Sequence, residues 1–266
     1  MKVQLNCFPE GKKKALTLSY DDGREHDRQL VAIMNRYGIR GAFHLNSGLL
    51  GKPGYVEASE VGELYAGHEI SAHTVTHPFL TKCPKEKIVD EIVQDRRELE
   101  RLASYPVKGM SYPYGDWNGQ VVALLPALGI EYARTTKSHG SFNMPADPLE
   151  WHPTCHHRDM LECGRRFLDD QPRHSSMSLL YVWGHSYEFH DRHNWDELER
   201  FGEMIGGQEG IWYATNIELV LYWKALRNLR FSVSGESVHN PSALSVWFSA
   251  DEDIVEVKPG QVLQLR

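Results

Sequence analysis

The sequence has few cysteines and no pattern among them. Cys7, Cys83, Cys155 and Cys163 are scattered over 266 residues with no Cys-x-x-Cys pair, which excludes a disulfide framework and a cysteine zinc cluster and reads as free thiols. No apolar run approaches the roughly 20 residues that cross a bilayer. The first fourteen residues hold Lys2, Lys12, Lys13 and Lys14 but no apolar segment behind them. They do not read as a secretory leader, and the expected location is cytoplasmic. Positive charge is not in excess either: 29 Lys and Arg face 36 Asp and Glu, for a net charge of −7. Neither nucleic acid nor an anionic membrane is therefore an expected partner. Glycine-rich phosphate loops of the GxGxxG or GxxxxGK[ST] type are absent, as are internal repeats and low-complexity tracts.

What is present is an ordinary globular composition, 41% hydrophobic and 24% charged, with 14 histidines. Apolar runs with strand character fall at residues 15–20, 41–46, 68–73, 107–112, 130–134, 151–155, 178–183 and 210–214. Helical spacing separates most of them, at 27–37, 58–66, 84–104, 118–128, 195–205 and 217–229. Asp27 is the expected N-cap of the first helix and Gly38 its stop. Such alternation predicts a parallel sheet. Polar or aromatic clusters close the strands at Asp21, His73, Tyr112 and His185, the arrangement of a barrel whose chemistry gathers at the carboxyl ends of its strands. The expected fold class is α/β, an irregular (β/α) barrel of about seven parallel strands over residues 1–229. Residues 230–266 change character, with short alternating runs between Asn-Pro and Pro-Gly turns, and predict a small C-terminal antiparallel β appendage. Three roles stay open for it: capping the barrel, mediating a homodimer, or shaping the substrate entrance.

Two pairs of residues carry the chemistry. Asp21 and Asp22 end the first strand before Gly23, and His73 and His77 follow the third strand as His-x-x-x-His. Taken singly, Asp-Asp-Gly is a turn and the histidines are surface residues. In an extended chain His73 and His77 stand roughly 13 Å apart, whereas one turn brings such a pair to about 6 Å. At the same end of one sheet, two imidazoles and a carboxylate make a common ligand set for a divalent metal. The second carboxylate is then free to take a proton. Ser111-Tyr-Pro-Tyr-Gly115 closes the fourth strand with aromatics at its mouth, Tyr112 and Tyr114. Val182-Trp-Gly-His185 closes an apolar strand with a histidine.

This order of motifs, from Tyr20-Asp-Asp-Gly23 through Ser71-Ala-His-Thr-Val-Thr-His77 and Pro113-Tyr-Gly115 to His185, resembles the polysaccharide deacetylase family over roughly residues 14–215. The resemblance implies a metal-dependent hydrolase that removes an acetyl group from an N- or O-acetylated sugar by attack of a metal-bound water. It implies Asp21 as base and His185 as acid. Asp22, His73 and His77 would hold one divalent metal, zinc first, with cobalt, nickel or iron alternatives. The backbone N–H of Tyr114 would be an oxyanion donor. The implied partner is a small-molecule or oligosaccharide substrate.

Two departures stand out. Ser111 occupies the position where the family's third motif usually has an arginine that orients the base, and Arg134 on the next strand is expected to take over. The fourth motif is not distinct. Glu150-Trp-His-Pro-Thr154 is its best candidate, with Trp151 as a wall of the acetyl pocket. His152, His156 and His157 leave an alternative ligand set open, and Glu188 falls close to His185. Two other functions stay open: metal-dependent hydrolysis of a small non-sugar amide, and a catalytically inactive sugar-binding domain on the same fold.

Overall fold

The computed structural model describes residues 2–172, 176–251 and 253–265. A two-residue strand, β1 (Val3–Gln4), precedes the central one, β2 (Lys14–Asp22). From Ala15 to Asp21 every side chain of β2 is buried, Thr17 and Ser19 included, as a parallel strand covered on both faces requires. Then α1 (Asp27–Arg36), β3 (Gly41–Leu45), α2 (Val61–Leu64), β4 (Glu69–Ala72), α3 (Lys85–Ala103), β5 (Gly109–Ser111), α4 (Gly119–Leu124) and β6 (Tyr132–Arg134) alternate along the chain. They are followed by β7 (Cys155–His156), α5 (Met160–Asp169), β8 (Ser178–Gly184), α6 (Ser186–Asp191), α7 (Trp195–Ile205), β9 (Ile211–Tyr213) and α8 (Asn216–Arg227).

Strands β2 to β9 form one sheet of order β6-β5-β4-β3-β2-β8-β7, with β9 paired to the start of β2. Every pairing in it is parallel. Strand β3 enters this sheet at a residue without a side chain, because a Cβ on Gly41 would stand 2.3 Å from the Leu18 carbonyl oxygen. In a flat sheet β6 and β2, four places apart, would be separated by about 19 Å. Arg134 on β6 nevertheless hydrogen-bonds Asp21 on β2. The sheet therefore curls into an irregular (β/α) barrel, and the ends of β2, β4, β5, β6 and β8 face one another across its mouth.

The chain ends in β10 (Arg230–Phe231), β11 (Ser237–His239), β12 (Val246–Ala250), β13 (Asp253–Val257) and β14 (Val262–Gln264). These make two three-stranded antiparallel sheets, β1-β12-β13 and β10-β11-β14. The small β structure expected at 230–266 thus draws on the other end of the chain through Val3↔Ala250. Positions 252 and 266 of that span lie outside the described residues. Tyr222 on α8 fastens it, donating its hydroxyl to the Cys7 carbonyl (2.9 Å) and accepting from the Trp247 N–H (3.1 Å). Among the described residues no helix is long and apolar enough to cross a membrane.

Several local expectations need correction. Asp27 is the first helical residue of α1, not its cap, and its buried carboxylate accepts from the Tyr65 hydroxyl at 2.6 Å. The strand expected at 151–155 shrinks to Cys155–His156. Trp151 retains only a bridge to Arg134, since Pro153 has no N–H for a ladder. Helix α5 (Met160–Asp169) has no counterpart among the helices expected from the sequence. Its buried stripe of Met160, Cys163, Gly164 and Phe167 has helical spacing, but two of the four are poor helix formers.

Candidate active site

Strand β2 ends through two left-handed residues, Asp22 (φ 80°) and Gly23 (φ 69°). The twist sends the adjacent carboxylates to different places. Asp21 stays buried at 2% exposure, while Asp22 reaches into the mouth. Past β4 the chain does not form the helical turn anticipated for His-x-x-x-His. It loops through left-handed Thr74 (φ 68°) and His77 (φ 58°), and this brings the two Nε2 atoms to 3.1 Å. Each Nε2 lies 3.6 Å from Asp22 Oδ1. Ligand bonds of 2.0–2.1 Å at tetrahedral angles place donors about 3.3 Å apart, so these three separations straddle the spacing a zinc-sized ion sets. The protonation state fits as well. His73 Nδ1 lies 2.9 Å from the Ser111 carbonyl oxygen, to which it donates, leaving the Nε2 lone pair toward Asp22. Burial pulls the pKa of His73 down to about 4, so its imidazole is neutral. The residues present therefore fit a divalent ion.

Asp21 sits behind this trio. Arg134, fully buried on β6, holds both of its oxygens through Nη2, and the Ser111 hydroxyl donates to Oδ1 at 3.0 Å. Burial alone would raise the Asp21 pKa. The Arg134 guanidinium, followed by His73, outweighs it and holds the carboxyl well below the usual carboxylate range. Arg134 is fixed in turn by Ser19 Oγ, by the Thr135 carbonyl, and by stacking over Trp183 at 4.8 Å. Ser19 is hydrogen-bonded by His44.

Strand β8 delivers His185, whose Nδ1 meets Glu188 Oε1 at 2.7 Å. Burial lowers the His185 pKa, but the bond to Glu188 and the charges of Asp21 and Asp22 outweigh it, leaving the ring above its ordinary value. Glu188 also faces His156 Nε2 at 3.2 Å, His157 Nε2 at 3.6 Å and Arg192 at 3.0 Å. His156, His157 and Glu188 form the second compact donor group among the described residues; it takes in two of the three histidines of the alternative ligand set, while His152 lies apart, its Nδ1 2.6 Å from Thr135 Oγ1. His156, His157 and Glu188 do not suit a metal. His156 Nδ1 accepts the Arg158 N–H at 3.3 Å, so its Nε2 bears the proton and donates to Glu188, and Arg192 already occupies the carboxylate. The group is a hydrogen-bond hub under His185. Glu188 is the carboxylate that touches His185.

Asp21, Asp22, His73, His77, Tyr112, Tyr114 and His185 line one open cavity of about 520 Å³, with Thr136, Trp183 and Tyr187. Tyr114 is left-handed (φ 58°). Its ring stacks on Phe79 at 4.0 Å and meets His77 edge-on at 4.4 Å. No partner for its N–H occurs among the described residues. Tyr112 is buried, its hydroxyl donating to the Leu149 carbonyl. Trp151, expected in the cavity wall, lies instead in the core between Tyr132 and Tyr181, 1% exposed, and is not part of the lining.

The sequence profile of the polysaccharide deacetylase family matches residues 9–133. Chitin deacetylase 1 of Cryptococcus neoformans var. grubii is 29% identical over 143 residues, covering 53% of this chain and 30% of that protein. A chitooligosaccharide deacetylase of Bradyrhizobium is 28% identical over 152 residues, covering 56% of this chain and 64% of the relative. This chain thus spans under a third of the first relative and somewhat under two thirds of the second. The fold also matches the Xyl-CE4 domain of a multidomain xylanase from the hindgut metagenome of Trinervitermes trinervoides. That match has a TM-score of 0.56 at 17% identity and covers 80% of this chain and 91% of that one.

Proposed function

We propose that this chain, whose residues 9–133 match the sequence profile of the polysaccharide deacetylase family, is a metal-dependent hydrolase that removes an acetyl group from an N- or O-acetylated sugar. The observation that carries the reading is the convergence on one cavity of three separately conditioned groups. These are the Asp22, His73 and His77 trio, the arginine-clamped Asp21, and the glutamate-bound His185.

In this reading Asp22, His73 and His77 hold one divalent ion, zinc first, with cobalt, nickel or iron(II) as alternatives for such a donor set. Bound there, the ion supplies a Lewis acid that polarises the acyl carbonyl and acidifies a neighbouring water. The chain does the rest. Asp21 accepts the proton of the attacking water. Arg134 and Ser111 keep this carboxylate ionised and aimed, which makes it available at any working pH but a weak base, so it depends on an acidified water. The unpartnered N–H of Tyr114 donates to the oxygen that gains charge as the carbonyl becomes tetrahedral. His185, whose protonated form Glu188 favours, gives its proton to the departing nitrogen or oxygen of the sugar.

The two relatives described above are named for chitin and chitooligosaccharides, so N-acetylated oligosaccharides are the substrates of first choice. The test is acetate release from a panel of N- and O-acetylated mono- and oligosaccharides by the metal-loaded protein, with chelated protein and Asp21→Asn beside it. Acetate that appears with the loaded protein and vanishes in both controls supports the reading. No acetate from any sugar, with turnover of a small non-sugar amide, replaces it.

A further inference from the structure

The loop that carries both histidines is held from below by two acids that the proposed chemistry does not use. Glu91 and Asp95 lie one turn apart on α3, on the same face, and are 1% and 0% exposed. They share the buried side of a helix whose remaining buried positions are Ile88, Ile92 and Leu99. A carboxylate in such a place is costly unless donors meet it, and every donor that does so from outside α3 is a loop atom. Asp95 accepts the His73 N–H at 2.9 Å and the Ser47 N–H at 2.8 Å. Glu91 accepts the Thr76 N–H at 2.8 Å and the Thr76 hydroxyl at 2.7 Å. Lys87, at 2.8 Å on the exposed side, is the cation on Glu91. From the opposite side Asn46 Nδ2 donates to the His73 and Thr74 carbonyls.

These bonds bracket the two left-handed residues, Thr74 and His77. Threonine is β-branched and rarely takes that conformation. Without the bonds the segment relaxes toward extended backbone, in which His73 and His77 separate to roughly 13 Å. We propose that Asp95 and Glu91 are positioning residues that clamp the 73–77 loop in the shape that brings the His73 and His77 Nε2 atoms onto one ion. The inference rests on the metal reading of Asp22, His73 and His77. Neither acid touches those donor atoms. Both act through backbone and Thr76.

The test is metal affinity, measured by competition with a chromophoric chelator for Zn(II) and by the absorption spectrum of the Co(II) form. It compares wild type, Asp95→Asn, Glu91→Gln and Thr76→Ala, each with the thermal midpoint of the metal-free protein. Asp95→Asn keeps one acceptor and puts an amide against the other N–H. The expected result is zinc affinity down by about tenfold or more, with a weakened or altered cobalt spectrum and lost protection of the His73 amide against hydrogen exchange. Thr76 is exposed, so Thr76→Ala folds even where a buried variant does not, and it shifts affinity in the same direction. Variants that bind zinc within twofold of wild type, whatever their thermal midpoint, overturn the clamp and leave the metal reading standing. A wild type that takes up neither zinc nor cobalt overturns both.

Discussion

Ser111 and Arg134 are register partners on the neighbouring strands β5 and β6, and both side chains hydrogen-bond the same carboxylate, Asp21. The cation that steadies the proposed base has moved one strand over, to the residue paired with the position where the family's motif usually has an arginine. The pair is buried on both sides, at 0% for the Arg134 side chain and 3% for that of Asp21.

Removing the cation strands a buried charge. Arg134→Met is expected to cost about 3–5 kcal/mol of stability, measured by urea denaturation. In the wild type the Asp21 pKa is depressed. Its contribution is therefore fully present above the unfolded value near 3.9 and is lost as pH falls through the folded value. In the variant the largest charge opposing burial is gone, with only His73, His44 and His185 left to oppose it, and the pKa rises. The acid limb of kcat/KM then moves toward neutral pH. An acid limb at the wild-type position would separate Arg134 from the ionisation of Asp21.

Glu188 sets the other limb. His185 lies above its ordinary pKa because of Glu188 and the two aspartates, so the acid form is present at low pH and is lost as pH rises through that raised value. Glu188→Gln removes the charge that holds the proton. The alkaline limb of kcat/KM is expected to move to lower pH, with a larger rate loss at pH 8 than at pH 6. A uniform loss across the profile would assign Glu188 to packing alone.

Much of this site was readable in the sequence because the reacting groups end strands, where side chains project past the ladder. Asp21, Asp22, His73, His77 and His185 fall at such ends and meet in one cavity. The contribution of Arg134 was anticipated because β6 neighbours β5. Trp151 was misjudged because motif position says nothing of depth, and its ring packs into the core. Glu188 stands beside His185 in the sequence, but its place as a hub has no local sign, since His156 at the end of β7 and His157 just past it lie 32 and 31 residues away along the chain. Asp95 and Glu91 went unread because charged residues on a helix normally face water. Strand β1 and the pairing of the two chain ends have no local sign, for two residues carry no periodicity.

A stability test is available away from the cavity. Burial raises the Asp27 pKa to about 7 despite the bond from the Tyr65 hydroxyl. A raised carboxyl favours the folded state fully below the unfolded value near 3.9, and that advantage is lost as pH climbs to about 7. Asp27→Asn keeps an acceptor for Tyr65 and carries no charge. Its thermal midpoint should gain on the wild type progressively from pH 4 to pH 7 and hold the gain above. A constant gap across that range would show that Asp27 does not titrate.

Ligand removal should separate binding from folding. His77 is only half-buried, so His77→Ala is expected to keep the fold by circular dichroism. Its loss of zinc affinity should exceed the about 10–100-fold typical of residues outside the ligand shell. Unchanged zinc uptake would exclude the Asp22, His73 and His77 trio as the metal site.

The most direct test of the central claim is acetate release from N-acetylated oligosaccharides, followed before and after chelation and after zinc is restored. The account predicts acetate from the loaded protein, its disappearance with the metal, its return on reloading, and its absence in Asp21→Asn with metal still bound. Acetate release at the same rate from the chelated, metal-free protein, or from Asp21→Asn, would contradict it.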